Sequence, residues 1–256
     1  MTRLFIVTAT VASVVAVTVL TGSGASQPRG TVHVAVAVNF AATHDYLVTA
    51  FEAGTGHTVV TSTGATGQLY AQVRNGAPFD VFLAADTERP DLLEREGEAV
   101  PDSRFTYAIG RLALYGPGLD SVRSHGEDLR DPRNRRIAMA NPKLAPYGRA
   151  AVQTLERLGF TDVVAPRLVQ GENVAQTYQF VHTGAAELGF VAFSQVYGER
   201  PHRYWLVPTE YHDPIAQDAV LLRRGATNPA ALAYIEFLRG TVARRIIEGF
   251  GYGVTP

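Results

Sequence analysis

Four short segments of the sequence place small, hydroxyl or amide residues where a helix is expected to begin. They are VAVNF at Asn39, STGATG at Thr66, PYGRAA at Tyr147 and GENVAQ at Val174. The first N–H groups of a helix have no intrahelical partner, and the helix dipole adds partial positive charge at that end. Such an end can bind an oxyanion without lysine or arginine. Each turn alone could serve only as a cap or a tight turn, but the set of four predicts an anion site built from neutral donors.

Residues that could support catalysis or hold a metal ion are scattered. Ser62 and Ser194 are possible nucleophiles, but the sequence contains no G-x-S-x-G elbow, no H-E-x-x-H pair and no cysteine. His212 lies near Asp213 and Asp218, a combination that is common by chance in a loop. We therefore expect no enzyme activity, no cofactor and no directly bound metal ion. A secreted hydrolase is kept as a remote alternative.

Composition and charge narrow the range of partners. The formal net charge of the 256 residues is −1, which gives no electrostatic reason to expect nucleic acid as a partner. A receptor for organic carboxylates would usually offer an arginine for a bidentate contact. Arg74 and Arg149 lie beside the possible site, but their helix positions predict that both face outward. The length fits one large domain or two lobes, and we expect a monomer.

The N-terminus has the layout of a secretory signal. Arg3 precedes an apolar run from Leu4 to Leu20, and small residues follow from Gly22 to Ser26. An uncleaved membrane anchor is the alternative, because the apolar run is long for a signal. We expect residues 1–25 to be removed as a signal peptide.

Alternating strand and helix patterns position the four segments. The first part reads as strands Thr31–Val38, His57–Ser62 and Phe79–Ala84 with helices from Asn39, over Gln68–Arg74 and over Arg89–Glu96. Asn39 is expected to be the N-cap of its helix. A strand Phe105–Tyr115 leads to a second unit with strand Ile137–Ala140 and helices Gly148–Leu158 and Asn173–Thr183. This alternation predicts mostly parallel sheets, which gather such turns at one edge.

The second unit returns to the first through the segment DPIAQDAVLL. We therefore predict two α/β lobes, the first formed by residues 30–107 and 218–256 and the second by residues 108–217. Two strands, Thr106–Gly110 and Ala216–Val220, are expected to act as hinges between the lobes.

Three of these segments resemble the periplasmic molybdate-binding proteins of ABC importers. They are STGATGQLYAQVRNGAPFDVFLAAD, MANPKLAPYGRAAVQTLERLG and VQGENVAQTYQFVHTGAAELGFVAFSQV, and the resemblance extends from Thr31 to Gly253. It implies a two-lobed, venus-flytrap binding protein in the periplasm. Such a protein would capture molybdate or tungstate between its lobes and deliver it to an ABC permease. Another oxyanion, namely sulfate, phosphate or thiosulfate, is the alternative ligand.

The resemblance also implies a ligand set of hydroxyl, amide and backbone N–H donors. Carried over by position, this set is Asn39, Phe40, Thr66, Gly67, Tyr147 and Val174. Phe40 and Gly67 would donate backbone N–H groups only. Thr66 replaces the serine that is commoner in the family. Some members carry a tyrosine near Ala192, which this chain lacks, and Tyr147 is expected either to supply that hydroxyl or to bind through its backbone N–H.

Overall fold

Two five-stranded sheets organise residues 29–254, which are the residues that the computed structural model describes. The predicted signal segment 1–25 lies outside them. The strands are β1 (Thr31–Ala37), β2 (Thr58–Gly64), β3 (Val81–Leu83), β4 (Phe105–Gly110), β5 (Leu112–Tyr115), β6 (Ile137–Ala140), β7 (Leu168–Gly171), β8 (Leu188–Ala192), β9 (Tyr204–Leu206) and β10 (Ile215–Leu221). The first sheet has the order β2-β1-β3-β10-β4 and the second has the order β7-β6-β8-β5-β9.

Helices flank both sheets. They are α1 (Ala41–Thr55), α2 (Thr66–Arg74), α3 (Glu88–Arg95), α4 (Pro146–Leu158), α5 (Thr161–Val164), α6 (Val174–His182), α7 (Phe193–Val196), α8 (Pro229–Arg239) and α9 (Thr241–Gly249). We call the first sheet with α1–α3, α8 and α9 the first lobe, and the second sheet with α4–α7 the second lobe. This architecture confirms the predicted α/β fold class. Within residues 29–254, no helix has the length and apolar character needed to cross a membrane.

The two sheets share one pairing scheme. Strands β1, β2 and β3 pair in parallel in the first sheet, and β6, β7 and β8 do so in the second. One strand in each sheet runs the other way, namely β10 in the first and β5 in the second. Strand β5 is the first strand that the chain forms after it passes from the first sheet to the second. Strand β10 is the first strand that it forms after it returns to the first sheet. Because the parallel strands end at one edge, the turns that follow them lie side by side.

The chain passes between the sheets at two places. It leaves the first sheet after Gly110 and enters the second at Leu112, so the single strand predicted over residues 105–115 is two strands in different sheets. It returns between β9 and β10. The two predicted hinge strands pair with each other, with Gly110 opposite Ile215. The predicted lobe boundaries at 107/108 and 217/218 lie within β4 and β10, and that division of the chain stays a prediction.

Two of the strands that lead to the site, β1 and β6, are buried over most of their length. Successive residues of β1 point to opposite sides, so Val34 and Val36 join the cluster that contains Tyr234 of α8, whereas Ala35 joins the cluster that contains Leu69 of α2. Burial on both faces is typical of parallel strands covered by helices. Each fully buried valine contributes about 1.5–3 kcal/mol. The two hydrophobic clusters therefore hold the carboxyl end of β1, and the turn that follows it, in place.

Candidate functional site

The four predicted turns meet at one small cavity between the lobes. Its lining consists of Ala37, Val38, Asn39, Gly64, Ala65, Thr66 and Ala85 from the first lobe and Ala145, Pro146, Tyr147, Asn173 and Val174 from the second. The space between these atoms is about 200 Å³, including its opening to solvent. None of these lining residues is charged. The turns meet because each follows the carboxyl end of one of the parallel strands β1, β2, β6 and β7.

Thr66 brings a hydroxyl to the first-lobe side of the cavity. Only Ala65 separates it from the end of β2, and it is the first residue of α2. Its side chain is buried, and its Oγ1 accepts a hydrogen bond of 3.1 Å from the Ala85 backbone N–H. Because this contact uses only a lone pair, the hydroxyl proton stays available for donation.

Tyr147 brings a hydroxyl from the second lobe. It follows Pro146, the first residue of α4, where proline suits a helix start. Its Oη accepts a hydrogen bond of 3.1 Å from Gln217 Nε2 of the first lobe. Burial raises the pKa of Tyr147 well above its usual value, so the hydroxyl keeps its proton. As with Thr66, that proton is available for donation.

Asn39 does not have the local role that the sequence predicted. It lies in a short 3₁₀ turn, Val38–Phe40, before α1, and it forms no cap hydrogen bond. Its side-chain Nδ2 instead donates to Gln217 Oε1 at 3.1 Å and to Tyr252 Oη at 3.2 Å. Both of its N–H donors are therefore used within the protein.

Val174 is the first residue of α6 and lines the cavity. The preceding Asn173 caps this helix, because its Oδ1 accepts a 3.0 Å hydrogen bond from the Gln176 N–H. The cap leaves the first N–H groups of the helix without an intrahelical partner. The starts of α2, α4 and α6 thus surround the cavity, and their dipoles favour negative charge there.

Two residues of the predicted set do not line the cavity. The Phe40 side chain is fully buried and packs edge-on against Tyr107 and Tyr252, with ring centroids 4.8 and 5.3 Å apart. The Gly67 N–H donates a 3.0 Å hydrogen bond to the Leu144 carbonyl across the cleft. The structure therefore uses Gly67 to join the lobes directly.

Charged groups lie at the mouth of the cleft instead. Arg149 donates to Glu88 at 2.6 Å and to Asp86 at 3.2 Å, so it bridges the lobes and does not face outward as predicted. Arg89 bonds to Asp86 and also donates to the Lys143 carbonyl of the second lobe at 3.1 Å. We call these four interactions the rim contacts. Arg74, by contrast, pairs with Glu96 at the surface, as its helix position predicted.

The two rim carboxylates have pKa shifts of opposite direction. Burial raises the pKa of Asp86, although Arg89 opposes the rise. The hydrogen bond from Arg149 lowers the pKa of Glu88. The two values shift differently because Asp86 is buried, whereas Glu88 is exposed.

The catalytic alternatives find no matching geometry. Ser194 Oγ donates to the Asn39 carbonyl at 3.2 Å and contacts Tyr252 Oη at 2.9 Å, so it has no histidine partner among its hydrogen bonds. His212 Nδ1 contacts the Asp213 carbonyl, whereas Asp218 bonds to residues of the first lobe. Among residues 29–254, no group of three or more histidine, aspartate or glutamate side chains could hold a metal ion.

Three residues that the sequence analysis did not select, Tyr107, Gln217 and Tyr252, are hydrogen-bonded to Asn39 and Tyr147 at the cavity. We call the hydrogen-bonded side chains of Asn39, Tyr107, Tyr147, Gln217 and Tyr252 the inner network. Gln217 is fully buried in β10, next to an irregularity in the strand register. The polar pair Gln217-Asp218 inside an otherwise apolar strand is a signal that could have identified it.

Comparisons with known proteins agree with this geometry. A family model described as bacterial extracellular solute-binding protein matches residues 32–253. The molybdate-binding protein ModA of Azotobacter vinelandii is 49% identical over 226 residues, 87% of this chain and 90% of that protein. ModA of Rhodobacter capsulatus is 42% identical over 94% of this chain and 95% of its own length. The solved periplasmic molybdate-binding protein of A. vinelandii superposes with a TM-score of 0.84 at 39% identity, covering 88% of this chain and all of that one.

Proposed function

Because the chain belongs to the bacterial extracellular solute-binding protein family, we propose that it captures molybdate between its two lobes for an ABC importer. The observation that carries this proposal is the uncharged cavity at which helix starts from both lobes meet. Molybdate is a tetrahedral dianion, and such a site supplies donors on all sides. Two relatives with more than 40% identity are named as molybdate-binding proteins, which supports this ligand.

The proposed ligand contacts are hydroxyls and backbone N–H groups from both lobes. Thr66 and Tyr147 donate their hydroxyl protons, because each oxygen already accepts a hydrogen bond from the protein. Val174 donates a backbone N–H from the start of α6. Asn39 contributes a backbone N–H group from the 3₁₀ turn, whereas Phe40 does not line the cavity and is not part of the proposed set. Gly67 was predicted from the sequence to contact the ion. We propose that it helps to hold the two lobes together instead, since its N–H donates to the Leu144 carbonyl of the second lobe.

Neutral donors suit this task energetically. A buried dianion is costly unless every oxygen is hydrogen-bonded, and donors fixed by the fold replace the water that is removed. Molybdate has longer bonds from its central atom to oxygen than sulfate has. Donors placed for the larger ion leave sulfate with unmade bonds, at about 1–3 kcal/mol for each. Tungstate is close to molybdate in size, and we propose that it binds as well.

The proposal extends to location and partners. The chain is exported to the periplasm by residues 1–25, acts as a monomer and delivers its ligand to the membrane permease of the importer. It is a carrier and catalyses no reaction, in keeping with the family to which it belongs.

Titration calorimetry of the purified protein with molybdate, tungstate, sulfate and phosphate tests the proposal. We expect tight binding of the first two ions and no heat of binding from the other two. If sulfate or phosphate binds in place of molybdate, the protein is still a two-lobed binding protein, but molybdate is not its ligand. No binding of any of the four ions would reject the oxyanion site.

A further inference from the structure

The inner network connects the C-terminal region of the chain to the proposed ligand site. Gln217 lies at its centre and contacts three of the other four members. Its Oε1 is 3.1 Å from Asn39 Nδ2 and 3.1 Å from Tyr107 Oη, and its Nε2 is 3.1 Å from Tyr147 Oη. All of these residues are buried. Tyr107 Oη also lies 3.0 Å from the Ala84 carbonyl, so its one proton is shared between that carbonyl and Gln217 Oε1.

The direction of these bonds is set by Tyr252. Its hydroxyl lies 2.8 Å from the Asn39 carbonyl and 2.9 Å from Ser194 Oγ, and once its single proton is used on either of these it accepts from the Asn39 side chain at 3.2 Å. Asn39 must therefore present Nδ2, not Oδ1, on this side. The same Nδ2 faces Gln217, which consequently presents its carbonyl oxygen Oε1.

The orientation of Gln217 decides what Tyr147 can do. With Oε1 turned toward Asn39, the amide nitrogen Nε2 faces Tyr147 Oη. An amide nitrogen donates and does not accept, so the Tyr147 hydroxyl is the acceptor of this bond. Its own proton then has to point elsewhere, and Tyr147 lines the cavity.

We infer that Gln217 is a positioning residue for the bound oxyanion: it makes Tyr147 a hydrogen-bond donor toward the cavity. Gln217 belongs to the first lobe and Tyr147 to the second, so the donor is aligned only when the lobes meet. This role rests on the proposed function, because it concerns the affinity for the ion that Tyr147 contacts. It goes beyond that function by assigning a role to a residue that does not line the cavity.

A double-mutant cycle tests the inference, with molybdate affinity measured by calorimetry. Gln217→Met preserves the size of the side chain and removes both of its polar atoms. We expect it to weaken binding about 10-fold or more in the wild-type background. In the Tyr147→Phe background the same change should alter the affinity less than about threefold, because the hydroxyl that Gln217 orients is already gone. Gln153→Met is the matched control, since Gln153 of α4 bonds to Asp213 and not to the inner network.

The outcomes separate the two proposals. If the wild type binds no molybdate, the proposed function fails and the role of Gln217 fails with it. If the wild type binds and Gln217→Met weakens binding equally in both backgrounds, or in neither, the inference is wrong and the proposed function stands. Thermal unfolding of each variant shows whether a loss of binding comes from a loss of folding.

A second variant covers the case in which Gln217→Met does not fold. In Gln217→Glu, an ionised carboxylate accepts from Tyr147 and turns the tyrosine proton away from the cavity. Lowering the pH protonates the introduced carboxyl group, which can then donate to Tyr147 and leave the tyrosine proton free for the ion. We expect the affinity of Gln217→Glu to recover at least about fivefold as the pH falls, relative to the wild type. An affinity that does not recover contradicts the inference.

Discussion

Deep in the cleft the two lobes meet through neutral side chains, whereas at its mouth they meet through charged ones. In the inner network, Gln217 of the first lobe donates to the buried hydroxyl of Tyr147 in the second. In the rim contacts, Arg149 of the second lobe reaches Asp86 and Glu88 of the first, and its side chain is 42% exposed.

The difference follows from where an anion can be held and released. Fixed neutral donors can surround a dianion without adding opposite charge. A buried arginine in the same place would bind any anion of suitable charge and would itself have to be desolvated. Arg149 is partly exposed, and ion pairs made by such side chains are screened by salt and contribute about 0–1 kcal/mol. We therefore expect affinity to depend on the inner network and salt sensitivity to depend on the rim contacts.

Gly110, at the end of β4, offers the most damaging single change to the inner network. A Cβ there would overlap Tyr147 Oη and lie 2.6 Å from Gln217 Nε2. Because Gly110 is paired with Ile215, the backbone has little freedom to retreat. We expect Gly110→Ala to weaken molybdate binding by about 100-fold or more, since it displaces the hydrogen bond from Gln217 to Tyr147 and, with it, the proposed contact of Tyr147 with the ion.

Calorimetry measures this loss, and thermal unfolding checks the fold. Gly54→Ala is the control, because a Cβ at Gly54 in α1 meets no atom within 4 Å. A Gly110→Ala protein that binds molybdate within about threefold of the wild type would show that the contact between Gln217 and Tyr147 is dispensable.

Thr66→Val tests the hydroxyl on the other side of the cavity. Valine has nearly the shape of threonine, but it removes the donor to the ion and leaves the Ala85 N–H without its acceptor. We expect a loss of about 10–100-fold in molybdate affinity, measured by calorimetry. Thr66→Ser should recover most of it. The control is Thr49→Val, since Thr49 lies exposed on α1, and equal losses in Thr66→Val and Thr66→Ser would contradict a role for the hydroxyl.

Sequence reasoning located the turns of the site because their signals are local. The small and amide residues around Asn39, Thr66, Tyr147 and Val174 lie in the connections that follow strands, and parallel strands end at one edge. The four turns do line one cavity. Their roles as ligands stay predictions until binding is measured.

The inner network was out of reach because its contacts are distant in sequence. Gln217 and Tyr252 lie 178 and 213 residues from Asn39. Asn39 was expected to cap α1 because asparagine favours that position, but tertiary hydrogen bonds took its side chain. Arg149 was expected to face solvent, and the pattern of α4 alone could not show that Asp86 and Glu88 would lie opposite.

Arg149→Gln tests the rim contacts and should have a much smaller effect. The change removes the ion pairs to Asp86 and Glu88 and leaves Arg89 bonded to Asp86. We expect molybdate affinity to fall about two- to fivefold at low salt, and the difference from the wild type to vanish near roughly 0.5 M salt. Calorimetry at several salt concentrations measures it.

The matched control for the rim is an ion pair within one lobe. Arg95 pairs with Asp91 at 2.6 Å inside α3, so Arg95→Gln should leave affinity unchanged at every salt concentration. A loss for Arg149→Gln as large as that for Thr66→Val would mean that charge at the mouth, and not the neutral donors, determines affinity.

The smallest expected effect is that of alkaline pH on the wild type, and it distinguishes a neutral site from a titrating one. Burial raises the pKa of Tyr147, so its donor proton is present at lower pH and is lost only as the pH rises through that raised value. Arg149 lowers the pKa of Glu88, so that contact is present above the ordinary carboxyl range and is lost only on acidification. Between about pH 7 and about pH 9, we expect no change of charge in either the inner network or the rim contacts. Calorimetry at constant ionic strength should therefore show molybdate affinity constant within about twofold. A decline toward the upper limit that disappears in Tyr147→Phe would mean that this hydroxyl ionises in the cleft, and the site would then not be the neutral one described.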